Sequence, residues 1–103
     1  MSKWSIRYEY TDSNIRDNAP STSGVYRLIY HIGESYYVFY VGQSDDLKKR
    51  LGEHLSASEV NNRIEKYIKE CPCYFRFIEL ATQRERDAVE KEEILKYDPT
   101  CNK

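Results

Sequence analysis

The sequence has no apolar run long enough to cross a membrane, and its start, MSKWSIRYEY, lacks the apolar core of a signal peptide. These absences predict a protein without a membrane partner and favour the cytoplasm as its compartment. An excess of charge of one sign is also missing, since 16 basic and 17 acidic residues leave a net charge of −1. A protein that coats duplex DNA is usually clearly basic, so any nucleic-acid binding has to rest on local clusters.

Cysteine is scarce, and its three positions, Cys71, Cys73 and Cys101, exclude two common structural devices. An odd number of cysteines in this spacing argues against a disulfide framework. A C-x-C pair with a distant third cysteine and no nearby histidine does not have the spacing of a zinc site. We therefore expect three reduced, structural thiols.

Strand patterns dominate the first part of the chain. Alternation in WSIRYEY predicts a half-buried strand that places one set of side chains on the same side: Trp4, Ile6, Tyr8 and Tyr10. The polar connection that follows is expected to hold a short helical turn near 14–17. The runs GVYRLIYHI and YYVFYVG, separated by GES, predict a hairpin whose apolar strands are covered on both faces.

Helical periodicity replaces the strand pattern after this hairpin. Leu47, Leu51 and Leu55 recur at helical spacing, with Ser44 or Asp45 as the predicted N-cap. A second helix is expected after 56–58, with an apolar face made of Val60, Ile64, Tyr67 and Ile68.

The last third of the chain predicts one more strand and one more helix. CYFRFIEL has the pattern of an inner strand, and TQRE at 82–85 is a capping box that opens a helix ending near Tyr97. The length suits one domain over 1–103. The order of elements predicts the α+β class, with a small antiparallel β-sheet flanked by about three helices.

Two residues of the first predicted helix are candidates for chemistry. Arg50 and His54 lie one turn apart at the edge of the leucine stripe, where the helix meets the sheet. The structural interpretation is an arginine whose stem packs while its head reaches water, and a histidine satisfied at the core boundary. The alternative is a site that binds phosphate, and this helix alone does not decide between the two.

Three further candidates are equally ambiguous when taken singly. Glu90 lies in an acidic run of the kind that usually forms a solvated helix face. It nevertheless shares a side of its helix with Ile94 and Tyr97, which suggests that it faces inward. Tyr26 and Tyr40 end their strand runs, and a single tyrosine there is more often part of a core than a catalyst.

Taken together, these positions resemble the motifs of the GIY-YIG nuclease family. GVY at 24–26 resembles the first motif, and YVG at 40–42 resembles the second. Arg50 follows the second motif by eight residues, and His54 stands where the family has His or Tyr one turn later. The resemblance extends from 24 to 102, and leaves 1–23 as an N-terminal strand and connection.

The end of the chain continues this resemblance. Glu90 precedes Asn102 by twelve residues in a pattern of the form E…P-x-x-N, with Pro99 as its proline. The family implies a small antiparallel sheet flanked by helices. It also implies a metal-dependent endonuclease that hydrolyses DNA phosphodiester bonds in a structure-selective or nonspecific manner, with a role in DNA repair or recombination.

The catalytic roles implied by the resemblance fall on five residues. Glu90 is expected to bind one Mg²⁺ or Mn²⁺ ion, and Arg50 offers a planar fork to phosphate oxygens. Tyr26 is the expected general base, and nearby positive charge would favour its phenolate form. Tyr40 is expected to orient the attacking water, and His54 to relay a proton or bond Tyr26.

Substrate contacts are expected from five further positions, which are Gly42, Gln43, Lys48, Lys49 and Asn102. Gly42 lets the backbone come close to phosphate, beside helix N-terminal amides that also favour an anion. Asn102 is expected to tie the end of the chain to the site. The implied partner is DNA, with a protein partner or a homodimer supplying specificity.

Two departures from the family pattern accompany these matches, and two other functions stay open. The hairpin around 32–35 is longer than in compact members, and Gln43 stands where some members carry lysine. One alternative is a module that holds branched or single-stranded DNA without cutting it, and the other is an interaction domain with degenerate chemistry. The binding groove would use the basic residues Lys48, Lys49, Arg50, Arg63, Lys66, Lys69, Arg84 and Arg86.

Overall fold

The computed structural model of the chain describes residues 3–56 and 61–103. Its elements follow one another as β1 (Tyr8–Glu9), α1 (Asp12–Asn18), β2 (Gly24–Ile32), β3 (Ser35–Ser44), α2 (Leu47–Leu55), α3 (Asn62–Glu70), β4 (Cys73–Glu79), α4 (Gln83–Tyr97) and a 3₁₀ turn (Thr100–Asn102). The strands form one antiparallel sheet in the order β1-β4-β2-β3. The predicted α+β class is therefore confirmed. The described part of the chain has four helices rather than about three, because the expected helical turn is the complete helix α1.

β2 and β3 form the predicted hairpin. Pairing runs from Gly24 opposite Ser44 to the turn at Gly33, whose positive φ of 61° suits a residue without a side chain. Tyr36 and Tyr37 near this turn are exposed, whereas every residue from 24 to 29 is buried. The prediction that both strands are covered on both faces was therefore wrong for the turn half, because these long strands extend beyond the cores.

The sheet separates two apolar cores. The larger core lies under α1, α2 and α3 and includes Leu28, Leu51 and Phe75. The smaller core lies on the opposite face, where Val89 and Ile94 of α4 pack. Successive side chains of a strand point to opposite faces, so β2, β3 and β4 each contribute to both cores. None of the helices in the two described ranges is long and apolar enough to cross a membrane.

The N-terminal segment differs from its predicted single-faced strand. Ile6 is 68% exposed, and Trp4 packs against the smaller core while Tyr8 packs against the larger one. Regular pairing is limited to β1, and before it the hydroxyl of Ser5 accepts a hydrogen bond from the backbone N–H of Phe77 at 3.0 Å. The Ser5 hydroxyl thus replaces one backbone acceptor, while the Ser5 N–H still donates to the Phe77 carbonyl at 2.7 Å. Trp4 and Tyr8 pack on opposite faces, so the alternation that the sequence suggests is lost.

Helix starts are set by side-chain caps. The N-cap of α2 is Asp46, whose carboxylate accepts from the N–H of Lys49, so the prediction of Ser44 or Asp45 was wrong. The Ser44 hydroxyl instead accepts from the N–H of Asp46 and steadies the turn before the helix. The predicted capping box is confirmed, since Thr82 and Glu85 cap α4 reciprocally.

The second predicted helix is α3, which begins after the N-cap Asn61. Ile64 is fully buried in the larger core, with Tyr67 and Ile68 packed against the same cluster. The remaining residue of the predicted face, Val60, and the expected start at 56–58 fall wholly or partly outside the described residues.

All three cysteines are free thiols, as predicted. Burial, followed by the neighbouring Cys71, raises the pKa of the Cys73 thiol to about 12. Burial also raises the pKa of Cys101. A thiol reacts mainly as its thiolate, so these two positions are chemically quiet.

Candidate functional site

Three rings from three elements meet at the base of the hairpin. Tyr26 of β2, Tyr40 of β3 and His54 of α2 have ring centroids 5.5 to 6.1 Å apart in every pair. The Tyr26 hydroxyl lies 2.7 Å from Nε2 of His54, and both side chains are almost fully buried. Tyr40 is half-buried, so it forms the part of this ring cluster that is nearest to solvent.

Gly42 makes room for this ring cluster. It pairs with Tyr26 across the hairpin, and a Cβ at Gly42 would lie 2.4 Å from the Tyr26 hydroxyl oxygen. Any side chain at this position would therefore displace the phenol. Gly24 lets β2 pack closely against the backbone of β4, because a Cβ there would lie 2.1 Å from the carbonyl oxygen of Ile78.

The basic residues of α2 point in different directions. Arg50 is half-buried, one turn before His54, and its Nη1 lies 3.5 Å from Oε1 of Glu53. The ammonium of Lys48 donates to the carbonyl of Arg16 at 2.9 Å and ties α2 to α1. Lys49 is exposed. Arg50 is therefore the basic residue of α2 that lies one turn from His54, while Lys48 binds the carbonyl of Arg16.

The first amides of α2 are already occupied. The N–H of Leu47 donates to the carbonyl of Thr22 at 2.9 Å, and the N–H of Lys48 donates to the carbonyl of Pro20 at 3.0 Å. The Asp46 carboxylate accepts from the next N–H, which is that of Lys49. The expectation that these amides favour an anion was wrong, because the loop before β2 and the N-cap saturate them.

A second polar cluster lies at the end of β3. The side-chain amide nitrogen of Gln43 donates to Oε1 of Glu90 and to Oδ1 of Asp87, both at 2.9 Å. Gln83 donates to Asp87 and to the Gln43 oxygen, both at 2.7 Å. Hydrogen bonds from Gln43 and Gln83 lower the pKa of Asp87, although desolvation opposes them. We call these four residues the amide–carboxylate cluster.

The two clusters lie on opposite faces of β3. Tyr40 and Gly42 face the larger core, whereas Val41 and Gln43 face α4. Because β3 is the last strand of the described sheet, both clusters lie at the same edge of that sheet.

Asn102 holds the edge of β3 between these clusters. Its Oδ1 accepts from the N–H of Val41, and its Nδ2 donates to the carbonyl of Val41, both at 2.8 Å. The side chain therefore continues the sheet beyond its last strand. Both polar groups of the Asn102 amide are used in this way, which fits the expected role of tying the chain end to the site.

A buried ion pair anchors the helix that carries Glu90. Arg27 of β2 donates through Nη2 and Nε to the two carboxylate oxygens of Glu93, at 2.5 and 3.2 Å. The Arg27 guanidinium also lies 3.8 Å from the centre of the Trp4 ring. The pair fixes the register of α4 on the sheet, one turn beyond Glu90.

The donor set suits one kind of metal ion. Within 3–56 and 61–103 there is no group of three or more His, Cys, Asp or Glu side chains that could surround an ion. Mg²⁺ keeps several waters and is commonly bound through one or two carboxylates, whereas zinc sites usually have three or four protein ligands that include histidine or cysteine. Glu90, with Asp87 one turn earlier, therefore fits Mg²⁺ or Mn²⁺ better than zinc.

Comparison with solved structures identifies the fold. The chain is similar to a point mutant of the GIY-YIG N-terminal endonuclease domain of UvrC from Thermotoga maritima, bound to its catalytic divalent cation. The TM-score is 0.67, with 24% identity over 88% of this chain and 93% of that one. The magnesium-bound form of that domain matches with a TM-score of 0.64 and 27% identity over the same shares. The fold is thus that of a GIY-YIG domain.

The sequence comparisons identify the family within this fold. The model of the UvrC-like GIY-YIG domain matches residues 22–103, and the chain therefore belongs to that family. UvrABC system protein C of Fervidobacterium nodosum is 34% identical over 91 residues, which is 88% of this chain. The chain spans about 15% of the length of that relative. The predicted family is confirmed, and the predicted endonuclease class is confirmed at the level of the family.

Sequence reasoning missed two members of the amide–carboxylate cluster and the ion pair. Gln83, Asp87 and Glu90 lie at i, i+4 and i+7 of one helix, a spacing that places them on one face. That signal was present within the acidic run. The partner of this face, Gln43, is 40 residues away from Gln83, and only the tertiary structure brings them together.

Proposed function

We propose that the chain is a metal-dependent endonuclease that hydrolyses phosphodiester bonds in DNA. The observation that carries the proposal is the buried contact between the Tyr26 hydroxyl and His54 Nε2, held above Gly42 in a chain of the GIY-YIG family. A buried phenol bonded to an imidazole is a proton path that a purely binding surface does not need.

Glu90 would hold a single Mg²⁺ or Mn²⁺ ion. When bound, such an ion supplies charge stabilisation for the phosphate and lowers the pKa of water. The relatives support a divalent ion, since one matched domain is bound to magnesium as its catalytic divalent cation. Our proposal for this chain is one ion, which the Glu90 carboxylate would hold.

Tyr26 and His54 would remove the proton from the attacking water. An isolated phenol keeps its proton until about pH 10, so it needs an acceptor to act near neutrality. In the proposed step the water proton moves to the Tyr26 oxygen while the phenol proton moves to Nε2 of neutral His54. The hydroxide then attacks phosphorus, the P–O bond to the leaving oxygen breaks, and that oxygen keeps the electron pair and takes a proton from solvent. Tyr40, on the outer side of the ring cluster, would orient the water.

Arg50 would stabilise the charge on the phosphate. Its guanidinium stays protonated at every relevant pH and presents a planar fork to two oxygens. Its ion pair with Glu53 is 3.5 Å long and partly exposed, so a phosphate can replace Glu53 at low cost. Lys49 and Gly42 stay predicted substrate contacts. Lys48 is a weaker candidate, because its ammonium already binds a backbone carbonyl.

The wider biology of the chain is part of the same proposal. We expect structure-selective or nonspecific cutting in DNA repair or recombination, in the cytoplasm, with a protein partner or a homodimer supplying specificity. The family match over 22–103 supports a motif core at 24–102 within a single domain over 1–103. A module that binds DNA without cutting it is the competing function.

Nicking of supercoiled plasmid separates the two functions. Wild type, Arg50→Ala and Glu90→Ala are assayed in Mg²⁺ or Mn²⁺, with and without EDTA, and folding is checked by circular dichroism. Glu92→Gln is the matched control, because it removes an exposed carboxylate from the same helix. We expect metal-dependent nicking by wild type and the control, and none by the two alanine variants. DNA binding without nicking by folded wild type, on flap and fork substrates as well, would establish the binding module instead.

A further inference from the structure

Three hydrogen bonds connect a buried arginine to the proposed metal ligand. Nη2 of Arg86 donates to the Gln83 oxygen at 3.0 Å, and the Gln83 nitrogen donates to the Gln43 oxygen at 2.7 Å. The Gln43 nitrogen then donates to Oε1 of Glu90 at 2.9 Å. Every bond in this series runs in the same direction, from Arg86 towards Glu90.

Arg86 is a fixed starting point for the series. Its side chain is 8% exposed, and its Nη1 donates to the carbonyls of Leu80 and Ala81, both at 3.1 Å. These carbonyls belong to the segment between β4 and α4. Nη1 is therefore held by two backbone carbonyls, while Nη2 reaches the side chains of Gln83 and, at 3.5 Å, the exposed Asp45.

Arg86 and Glu90, at the two ends of this series, allow only one orientation of the Gln83 and Gln43 side-chain amides. An arginine can only donate, and an ionised carboxylate can only accept. If Gln83 were flipped, its NH₂ group would face the donor Arg86. If Gln43 were flipped, its oxygen would face the oxygens of Glu90 and Asp87. Arg86 thus determines how Gln83 points, and Gln83 determines that Gln43 presents its N–H groups to the carboxylates.

We propose that Gln43 and Gln83 are positioning residues for the metal ligand Glu90. Gln43 binds Oε1 and so restricts the rotation of the Glu90 carboxylate, and Gln83 acts on Glu90 through Gln43. This inference rests on the proposed function, because it assigns a role in the same metal site. It also changes the expected role of Gln43, from a contact with substrate to a contact with the carboxylate.

The physical reason for such a device is the strict geometry of the ion. Mg²⁺ requires nearly octahedral coordination at about 2.1 Å, so a carboxylate that rotates freely binds it poorly. Partners that orient a metal ligand typically change metal affinity by about 10- to 100-fold when they are removed. Gln43 also donates to Asp87, so a single amide sets the spacing of the two carboxylates on α4.

The test is a double-mutant cycle on Mn²⁺ affinity, measured by electron paramagnetic resonance on the whole chain. Gln43→Met and Gln83→Met preserve side-chain length and remove the amide. We expect each single variant to bind Mn²⁺ about tenfold more weakly. The double variant should match Gln43→Met alone, because Gln83 acts through Gln43. Leu95→Met, at a position of α4 that is 75% exposed, should bind as wild type does.

Glu90→Gln in the same titration distinguishes the failure of the inference from that of the proposed function. If Glu90→Gln binds Mn²⁺ as tightly as wild type, or if wild type binds none at millimolar Mn²⁺, the proposed metal site falls and the inference falls with it. If Glu90→Gln loses binding while Gln43→Met keeps wild-type affinity, only the inference falls. Additive losses in the double variant would also overturn it, because they would show that Gln83 acts independently.

A second measurement needs no bound ion. The side-chain amide signals of Gln43 in a ¹⁵N-resolved NMR spectrum report its hydrogen bonds. The inference expects Gln83→Met to shift these signals, since Gln43 then loses the partner that fixes its orientation. Unchanged Gln43 signals in folded Gln83→Met would contradict the proposed series.

Discussion

The hydroxyl of Tyr26 lies 2.7 Å from Nε2 of His54, and each residue is 1% exposed. One residue belongs to a strand and the other to a helix, and the two are 28 positions apart in the sequence. The contact exists because Gly42 leaves space for the phenol and because Leu47 and Leu51 hold α2 on the sheet. The packing around this contact can be tested without knowing the natural substrate.

Gly42→Ala should destabilise the protein, because its Cβ would collide with the Tyr26 hydroxyl. Overpacking of this kind typically costs about 1–3 kcal/mol. Gly52→Ala is the matched control, since it lies within α2 and a Cβ there meets nothing within 4 Å. Alanine in a helix should stabilise that variant by about 0.5–1 kcal/mol. Urea unfolding measures both, and equal stability of Gly42→Ala and wild type would contradict the packing described.

Glu93→Gln should be strongly destabilising, because it leaves the buried Arg27 charge without its partner. Breaking a buried pair by removing one side typically costs about 3–5 kcal/mol. Glu65→Gln is the control, since its pair with Lys69 is exposed and is worth about 0.3–0.5 kcal/mol. The free energy of unfolding in urea distinguishes the two variants. Similar small losses for both would show that the Arg27–Glu93 pair does not anchor α4.

Asn102→Ala should open the edge of β3 next to the ring cluster. The N–H of Val41 donates to Asn102, and β3 is the last strand of the sheet in the described residues, so its hydrogen exchange should become faster in the variant. The N–H groups that pair β2 with β4 should keep their protection. We expect cleavage to fall as well, since Tyr40 and Gly42 flank Val41. Unchanged exchange at Val41 would contradict the contact.

Asp87 should contribute to stability in a pH-dependent way. Hydrogen bonds from Gln43 and Gln83 lower its pKa in the folded chain, so the ionised form is favoured by folding. This contribution is present above the unfolded pKa of about 3.9 and is lost as the pH falls through the lower folded value. The difference in stability between wild type and Asp87→Asn should therefore shrink in acid. Urea unfolding at several pH values measures this difference in stability. A difference that stays constant from about pH 6 to pH 3 would refute the prediction.

The sequence is sufficient for the features that depend on short-range patterns. Leu47 and Leu51 mark a buried helix face at the expected spacing, and the capping box at Thr82 fixes the start of α4. The motif positions Tyr26 and His54 come together because their elements are ordered as the family resemblance implies. Each of these signals lies within one element or one motif.

The features that the sequence does not reveal depend on how distant elements align. Arg27 lies in an apolar run and Glu93 in an acidic one. Nothing in either run indicates that these two charged side chains are buried against each other. The same holds for Gln43, whose amide finds Glu90 only when α4 is packed across β3. The occupied amides of α2 are a third case, since their partners, Thr22 and Pro20, come from a loop with no regular pattern.

The most direct test of the central claim is the nicking rate of Tyr26→Phe in Mg²⁺, compared with Tyr37→Phe. Phenylalanine keeps the ring above Gly42 and removes only the oxygen that contacts His54, so folding is preserved. Tyr37 is 49% exposed near the turn of the hairpin and controls for the loss of a hydroxyl. We predict that Tyr26→Phe nicks at least about 100-fold more slowly while Tyr37→Phe nicks as wild type does. Equal rates for Tyr26→Phe and wild type would contradict the claim that the Tyr26–His54 pair carries the proton.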